Sequence, residues 1–256
     1  MAKNERADER SKGAALLKAI ERIVESPVQI RAKAQAAVEK TRASLPDDAT
    51  EAQVRAALEG ALVSQYSNKT ALAGGAAALP SLIPGIGSLA ALLGGGLLDM
   101  TACLKFEIEM VLALASARGY DIEDPRERQL AYLLAAAHTY EASAGKSALE
   151  DLVKAEADAI WHYTPRQLGK LVSSLFVKLA LQFAGRGLAR AIPLVGIVVS
   201  TAANKTLTGR VGRAVVRALD EREERRAAKP APKAGKARPR QMRPGARRRR
   251  AGGSQK

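Results

Sequence analysis

Few residues in this chain have the types and spacing that chemistry requires. Asp99 is the only charged residue in the stretch from Thr70 to Leu104, and a carboxylate in so apolar a setting is costly unless it is paired. It is therefore the strongest single candidate for a functional role. The alternative is a buried structural contact with a basic residue or a backbone amide. The sequence shows no nucleophile with a base, no carboxylate pair and no metal cluster.

The other reactive residue types form no catalytic pattern either. His138 and His162 are the two histidines and lack metal-binding spacing, and the single cysteine, Cys103, lies within the apolar stretch as a small hydrophobic residue. The three glycines at 94–96 lack the Lys-Ser/Thr pair of a phosphate-binding loop and follow no predicted strand. We therefore expect no catalytic residue, no metal, no cofactor and no enzymatic activity.

The segment that leads to Asp99 is long enough to cross a bilayer. Residues 70–98 are an uninterrupted run of 29 uncharged residues, and about 20 suffice for a spanning helix. Two prolines, at 80 and 84, disfavour one straight helix. We predict a hairpin of two apolar helices, Glu51 to Leu79 and Gly87 to Arg118. Periodicity leaves open whether this hairpin is inserted in lipid or buried in a soluble bundle.

Helical spacing of apolar residues continues on both sides of the hairpin. Ser26-Pro27 has the form of an N-cap with a first-turn proline. Capping-box spacing recurs at three further places: Thr50 with Gln53, Asp124 with Glu127, and Thr164 with Gln167. No window has the alternation typical of a strand. The predicted fold class is all-α, a multi-helix bundle built around an apolar Gly/Ala/Pro-rich helical hairpin.

A second and shorter apolar run, residues 191–204, repeats the Ile-Pro corner of the hairpin. Small or polar residues recur every four positions in both runs, and we expect the two ridges to face each other. The first ridge is Gly87, Ala91 and Gly95, and the second is Gly196, Ser200, Asn204, Thr208 and Gly212. In that packing Asp99 would approach Asn204 and Lys205. We therefore predict an Asp99–Lys205 ion pair, which would satisfy the carboxylate.

The segment after Asn204 has the pattern of a basic amphipathic helix. Leu207, Val211 and Val215 share one face, and Arg210, Arg213 and Arg217 share another. The helix leads directly into a basic tail. An anionic membrane surface attracts such a combination, so the sequence predicts that this end of the chain lies on a membrane.

The net charge of +15 is concentrated at the end of the chain. Residues 225–256 contain 13 Lys or Arg and no acid, including Arg247, Arg248, Arg249 and Arg250, whereas residues 1–224 contain 28 basic and 26 acidic residues. This Pro-, Gly- and Arg-rich composition predicts a disordered tail. We expect a disordered start at 1–12 and one helical domain at 13–224. The charged start lacks a secretory signal, which predicts a location on the cytoplasmic side, peripheral to the membrane or partly inserted in it.

These elements resemble the EcsC protein family over residues 52–222. The matching motifs are the hairpin, Asp99-Met-Thr-Ala through Arg118-Gly119-Tyr120-Asp121, and above all Ile192-Pro193-Leu-Val-Gly196 through Asn204 to Arg210-Val-Gly212-Arg-Ala214. The chain departs from many relatives at Ala117-Arg118, where an aromatic or aliphatic residue often precedes the Gly-Tyr-Asp turn. The resemblance implies a bacterial helical protein without established activity. It also implies a genetic setting like that of the namesake, near components of an ABC transporter.

Two classes of function are compatible with these features. The first is a non-enzymatic, membrane-associated helical protein, accessory to a membrane transport system. The alternative is a polyanion or nucleic-acid binding protein that acts through its basic tail, with salt-dependent and non-specific contacts. A nearly neutral body with few aromatic residues favours the first class. The expected partners are thus an anionic membrane surface, a membrane transporter and, through the tail, non-specific nucleic acid.

Overall fold

Helices account for nearly all of the described residues, which are 2–73, 95–144, 160–184 and 195–228 of a computed structural model. In chain order the α-helices are α1 (Ala2–Ile23), α2 (Pro27–Ala43), α3 (Glu51–Ala73), α4 (Gly95–Ala117), α5 (Pro125–Ala144), α6 (Pro165–Ala184) and α7 (Val195–Ala228), with a 3-10 helix at Ile160–His162 before α6. No strand occurs in these ranges. The predicted all-α class is confirmed.

Helix α4 is the central element of the bundle. It contacts each of the other six α-helices, and residues 100–115 are all buried. A helix that is apolar on every face is stable in water only when neighbours surround it. The other helices pack around it as α3 against α7, α1 against α6, and α5 against both α6 and α7.

Local capping signals set three of the helix starts as predicted. The Ser26 hydroxyl accepts a hydrogen bond from the Gln29 amide, and the Gln29 side chain accepts one from the Ser26 amide at 3.2 Å. The same reciprocal pattern joins Thr50 to Gln53 and Thr164 to Gln167. These boxes satisfy backbone donors that a helix start leaves unpaired.

The predicted capping box at Asp124 is only half correct. The Asp124 carboxylate does accept a hydrogen bond from the Arg126 amide at 2.8 Å, so it caps α5. Glu127 does not reach back to it. Instead its two carboxylate oxygens accept hydrogen bonds from Arg222 of α7 at 2.6 and 2.7 Å. A bidentate charged partner from another helix outcompetes the weaker local contact.

The turn after α4 uses the one residue type that fits its geometry. Gly119 has a φ of +79°, the left-handed conformation that glycine adopts without strain. The Tyr120 amide donates to the Ala115 carbonyl and the Gly119 amide donates to the Ser116 carbonyl, each at 3.0 Å. This is the Schellman arrangement, which satisfies the last carbonyls of α4 and directs the chain toward α5.

Both ends of the folded part extend further than the sequence predicted. Helix α1 begins at Ala2, so the expected disordered start at 1–12 is wrong, and α7 continues to Ala228, past the predicted boundary at 224. Both extensions are rich in Ala, Arg, Lys or Glu, the residues with high helix propensity. The sequence analysis underestimated this propensity. The predicted tail from 229 onward lies outside the described residues.

The structure describes only part of the predicted hairpin. Its two arms correspond to α3 and α4, while the corner and the flanking residues 74–94 lie outside the described residues. Among the helices that the structure describes, none combines the length and the apolar character needed to cross a bilayer.

Candidate functional site

The last helix, α7, has one buried face and one exposed, basic face. The buried face contains Asn204, Thr208, Val211, Val215 and Leu219. The exposed residues include four cations, Lys205, Arg210, Arg213 and Arg217, which we call the α7 basic face. At about 3.6 residues per turn these four side chains fall within roughly 140° of arc. The predicted amphipathic arrangement of this segment is therefore confirmed.

No acidic residue neutralises the α7 basic face within the part of the chain that the structure describes. Helix α7 contains no Asp or Glu before Asp220. None of the four cations forms an ion pair with a described residue, and the carboxylates of Glu59, Asp220 and Glu223 pair with Arg55 and Arg118 instead. The face thus presents four positive charges to its surroundings.

The acidic end of α7 is held by a buried arginine. Arg118, whose side chain is only 2 % exposed, lies 2.6 Å from Glu59 of α3 and 2.8 Å from Asp220 of α7. Arg55 of α3 joins this cluster through Glu223 at 2.6 Å. The cluster fixes the ends of α3, α4 and α7 together.

A second arginine fixes α7 to α5. Arg222 forms the bidentate pair with Glu127 and lies over the rings of Tyr120 and Trp161, at 4.1 and 5.0 Å from their centroids. Trp161 is partly buried against the core. Cation–π contacts of this kind favour Arg because its planar group stacks on an aromatic face. The rings of Tyr120 and Trp161 thus help to pack α7 against the body.

A groove runs along the basic face, between α3 and α7. It has a volume of about 780 Å³, and its α3 wall includes Gly60, Ser64 and Ser67. Its α7 wall includes Gly209 and three members of the basic face, Lys205, Arg213 and Arg217. Small residues on both walls keep the groove open, and cations line one side of it.

The buried face of α7 contacts α3 and α4 through the predicted small-residue ridge. A Cβ on Gly212 would lie 2.7 Å from Val63 of α3 and 3.1 Å from the sulfur of Met110 of α4, so only glycine fits without a shift. Asn204 is 5 % exposed. The ridge from Asn204 to Gly212 therefore packs against α3 and α4. The opposing ridge of Gly87 and Ala91 lies outside the described residues.

The predicted pair of Asp99 and Lys205 remains a prediction. Asp99 belongs to α4, but its side chain lies outside the described residues. Lys205 is exposed at the rim of the groove. Loss of a partner carboxylate would therefore leave Lys205 in water, and not as a buried, unpaired cation.

Three buried charged residues on α4 were missed by the sequence analysis. Lys105, Glu107 and Glu109 are at most 3 % exposed. Lys105 and Glu109 form an ion pair of 2.6 Å, and a Glu109 oxygen also accepts the Glu25 amide at 2.9 Å, which ties the α1–α2 connection to the core. The i,i+4 spacing of Lys105 and Glu109 inside an apolar helix was the available signal.

Glu107 faces α5 and α7 from the centre of the bundle. The hydroxyl groups of Thr139 of α5 and Thr208 of α7 each form a hydrogen bond with the Glu107 carboxyl group, and the bond from Thr208 is 3.0 Å long. Burial raises the pKa of Glu107 to about 7, and the two threonine hydroxyls only partly oppose that effect. A lone buried carboxyl between two hydroxyls holds a proton near neutral pH but has no nucleophile or metal beside it.

The remaining candidates are structural. His138 is 8 % exposed, and its Nδ1 forms a hydrogen bond of 3.0 Å with Glu141, which is typical of a core histidine. Cys103 is buried, as predicted. Within residues 2–73, 95–144, 160–184 and 195–228, no group of three or more His, Cys, Asp or Glu could hold a metal ion.

Comparison with known proteins agrees with these motifs. Neither the curated proteins nor the solved structures contain a match to this chain. The model of one family, described as the EcsC protein family, matches residues 12–222. The match includes α2 and about half of α1, and therefore extends further toward the start than the motifs from residue 52 onward. Since it spans most of the 256 residues, the chain belongs to the EcsC protein family.

Proposed function

We propose that this chain is a non-enzymatic protein that binds anionic membrane surfaces through the α7 basic face and the basic segment that follows it. The observation that carries the proposal is the set of four exposed cations on one side of α7 that form no ion pair with a described residue. Each cation near an anionic leaflet contributes about 1 kcal/mol of attraction. Four on a rigid helix, continued by 13 Lys or Arg in residues 225–256, form a strong electrostatic surface.

The distribution of the other charges supports a one-sided attachment. Arg118 and Arg222 are buried in ion pairs with acids, and the rest of residues 1–224 is close to neutral. The excess positive charge therefore lies mainly in residues 225–256, which follow the α7 basic face in the chain. We extend the proposal to an accessory role beside a membrane transport system, at the cytoplasmic face, as the family resemblance implies.

Co-sedimentation with lipid vesicles tests this proposal. We expect the full chain to sediment with vesicles of phosphatidylcholine and phosphatidylglycerol at 50 mM salt and to be released from them at 500 mM salt. It should not sediment with vesicles of pure phosphatidylcholine. A chain ending at Ala228 should bind more weakly but measurably, because α7 remains. Absence of sedimentation of the full chain at low salt would refute membrane binding.

The alternative function is polyanion binding by the tail alone, with Arg247 to Arg250 as its densest part. It is favoured by 13 cations without an acid, which release counterions from a nucleic acid without reading its bases. In that case the chain ending at Ala228 should lose all binding to vesicles. The full chain should then bind DNA oligonucleotides of unrelated sequence with equal affinity that falls steeply with salt.

A further inference from the structure

We infer that the groove between α3 and α7 holds a phosphate group, bound by the Ser67 hydroxyl and the Arg213 guanidinium in the space that Gly209 leaves open. This inference rests on the proposed function for the source of the phosphate, a lipid headgroup. The groove chemistry itself is independent of that source and would also suit a free phosphate ester.

Ser67 is the residue that points to a ligand. Its side chain lines the groove, the residue is only 4 % exposed, and its Oγ forms no hydrogen bond with any described residue. A buried hydroxyl without a partner loses its hydrogen bonds to water and gains none in exchange. A ligand oxygen in the groove would supply the missing acceptor.

Arg213 provides a second donor aimed at the same point. A Cβ built on Gly209 would lie 3.5 Å from an Arg213 guanidinium nitrogen and 3.6 Å from the Ser67 Oγ. A phosphate oxygen lies further out from the Gly209 backbone than this point, between the Ser67 hydroxyl and the guanidinium, and rotation of the exposed Arg213 side chain brings the guanidinium to it. The missing side chain at Gly209 is what keeps the space open.

The charges around the groove select an anion. Lys205 and Arg217 line it together with Arg213, and none of these cations has an acidic partner among the described residues. Glu59 is the one acid in the lining, and it is neutralised by Arg118 at 2.6 Å. A phosphate offers several acceptor oxygens to a hydroxyl and a guanidinium at once, which a carboxylate does less completely.

The groove offers a matched pair of glycine substitutions. Gly209→Ala places a methyl group at ordinary contact distance from Ser67 and Arg213, so it fills the proposed site without a clash. Gly60→Ala lies in the same groove and meets nothing within 4 Å. Both changes increase helix propensity to the same degree. They differ in whether the methyl group occupies the phosphate position.

The test follows amide chemical shifts of the ¹⁵N-labelled full chain during titration with sn-glycerol 3-phosphate. We expect saturable shifts around Ser67 and Gly209, separate from the non-saturating shifts of the tail. Ser67→Ala removes a hydrogen bond to a charged group, and Gly209→Ala fills the space that the phosphate needs, so each should weaken the affinity about tenfold. Gly60→Ala should leave it unchanged, and melting curves of all three variants confirm that they fold.

The outcomes separate this inference from the proposed function. Shifts confined to the tail, or equal affinities in all variants, would overturn the groove site even if vesicles still bind. If the groove binds glycerol phosphate and vesicle binding also falls in Gly209→Ala, the source is a lipid headgroup. If the groove binds but vesicle binding is absent or insensitive to Gly209→Ala, the site is assigned to a free phosphate ester.

Discussion

At the scale of single residues, Glu107 shows how packing sets a protonation state. Thr139 contacts both the Ala135 carbonyl, at 2.7 Å, and the Glu107 carboxyl. The Thr139 hydroxyl has one hydrogen to share between these two acceptors, so its donation to Glu107 is divided. A shared hydroxyl only partly offsets the burial that raises the pKa of Glu107 to about 7.

The pKa shift makes stability depend on pH in a definite direction. Between about pH 4.5 and pH 7 the folded chain retains the Glu107 proton that the unfolded chain has lost. The free energy of unfolding should therefore fall as pH rises through this window and level off above it. A shift of this size corresponds to about 3 kcal/mol.

Glu107→Gln should remove this loss of stability. The amide is neutral at every pH, and it can donate to Thr139 while accepting from Thr208. We expect equal stability of variant and wild type at pH 4.5 and a gain of up to about 3 kcal/mol for the variant at pH 8. Urea unfolding at both pH values measures the difference. Glu39→Gln, at an exposed position, is the control. If the free energy of unfolding of Glu107→Gln changed with pH in parallel with that of the wild type, Glu107 would be ionised over the whole range from pH 4.5 to pH 8.

Arg118, which is buried among three acids, should be more important for stability than Arg31, a partly exposed arginine that pairs with two. Arg118→Met deprives Glu59, whose side chain is only 12 % exposed, of its closest cationic partner. We expect the free energy of unfolding to fall by about 3 kcal/mol. Arg31 also pairs with two acids, Asp121 and Glu123, but at the surface, so Arg31→Met should cost less than about 1 kcal/mol. Chemical unfolding compares the two variants, and equal losses would contradict a structural role for the buried cluster.

At the scale of elements, the approach of α7 to α3 and α4 depends on Gly212. A methyl group there would overlap Val63 and press on Met110. We expect Gly212→Ala to destabilise the fold by about 1–3 kcal/mol, despite the gain in helix propensity. Gly60→Ala, in open space on α3, should be stabilising in the same melting experiment. A stabilising Gly212→Ala would mean that the two helices are further apart than described.

The sequence predicted contacts between residues that are close in the chain and missed contacts between distant ones. The caps at Ser26, Thr50 and Thr164 depend on residues three positions apart, and they were predicted correctly. Glu127 was assigned to its local cap because its partner Arg222 is 95 residues away, a contact that spacing does not show. The basic face of α7 was predictable because helical periodicity alone separates its cations from Val211 and Val215.

The groove at Ser67 was not predictable for a similar reason. Ser67 and Gly209 are ordinary helix residues until α3 and α7 are packed side by side. Likewise, nothing in the sequence marked Glu107 as buried, because the burial of α4 depends on its six neighbouring helices. The sequence instead indicated Asp99 as the buried charge, and the side chain of Asp99 lies outside the described residues.

At the scale of the whole molecule, the main feature is the separation of paired and unpaired charge. Ion pairs at Arg118 and Arg222 join α7 to the body, while the four cations of the α7 basic face form no ion pair with a described residue. A surface of this kind attracts any anionic partner over about 10 Å at moderate salt. The account therefore assigns binding to one face of the molecule and not to its total charge.

The most direct test of this claim compares two variants of equal net charge. One replaces Lys205, Arg210, Arg213 and Arg217 by Gln, and the other replaces four exposed cations of α1 and α6, namely Lys18, Arg22, Arg166 and Lys170. Binding of the full chains to vesicles containing phosphatidylglycerol is then measured at 100 mM salt. We expect at least a tenfold loss of affinity for the α7 variant and less than a twofold loss for its control. Equal losses in both variants would contradict the account, because total charge and not the α7 face would then determine binding.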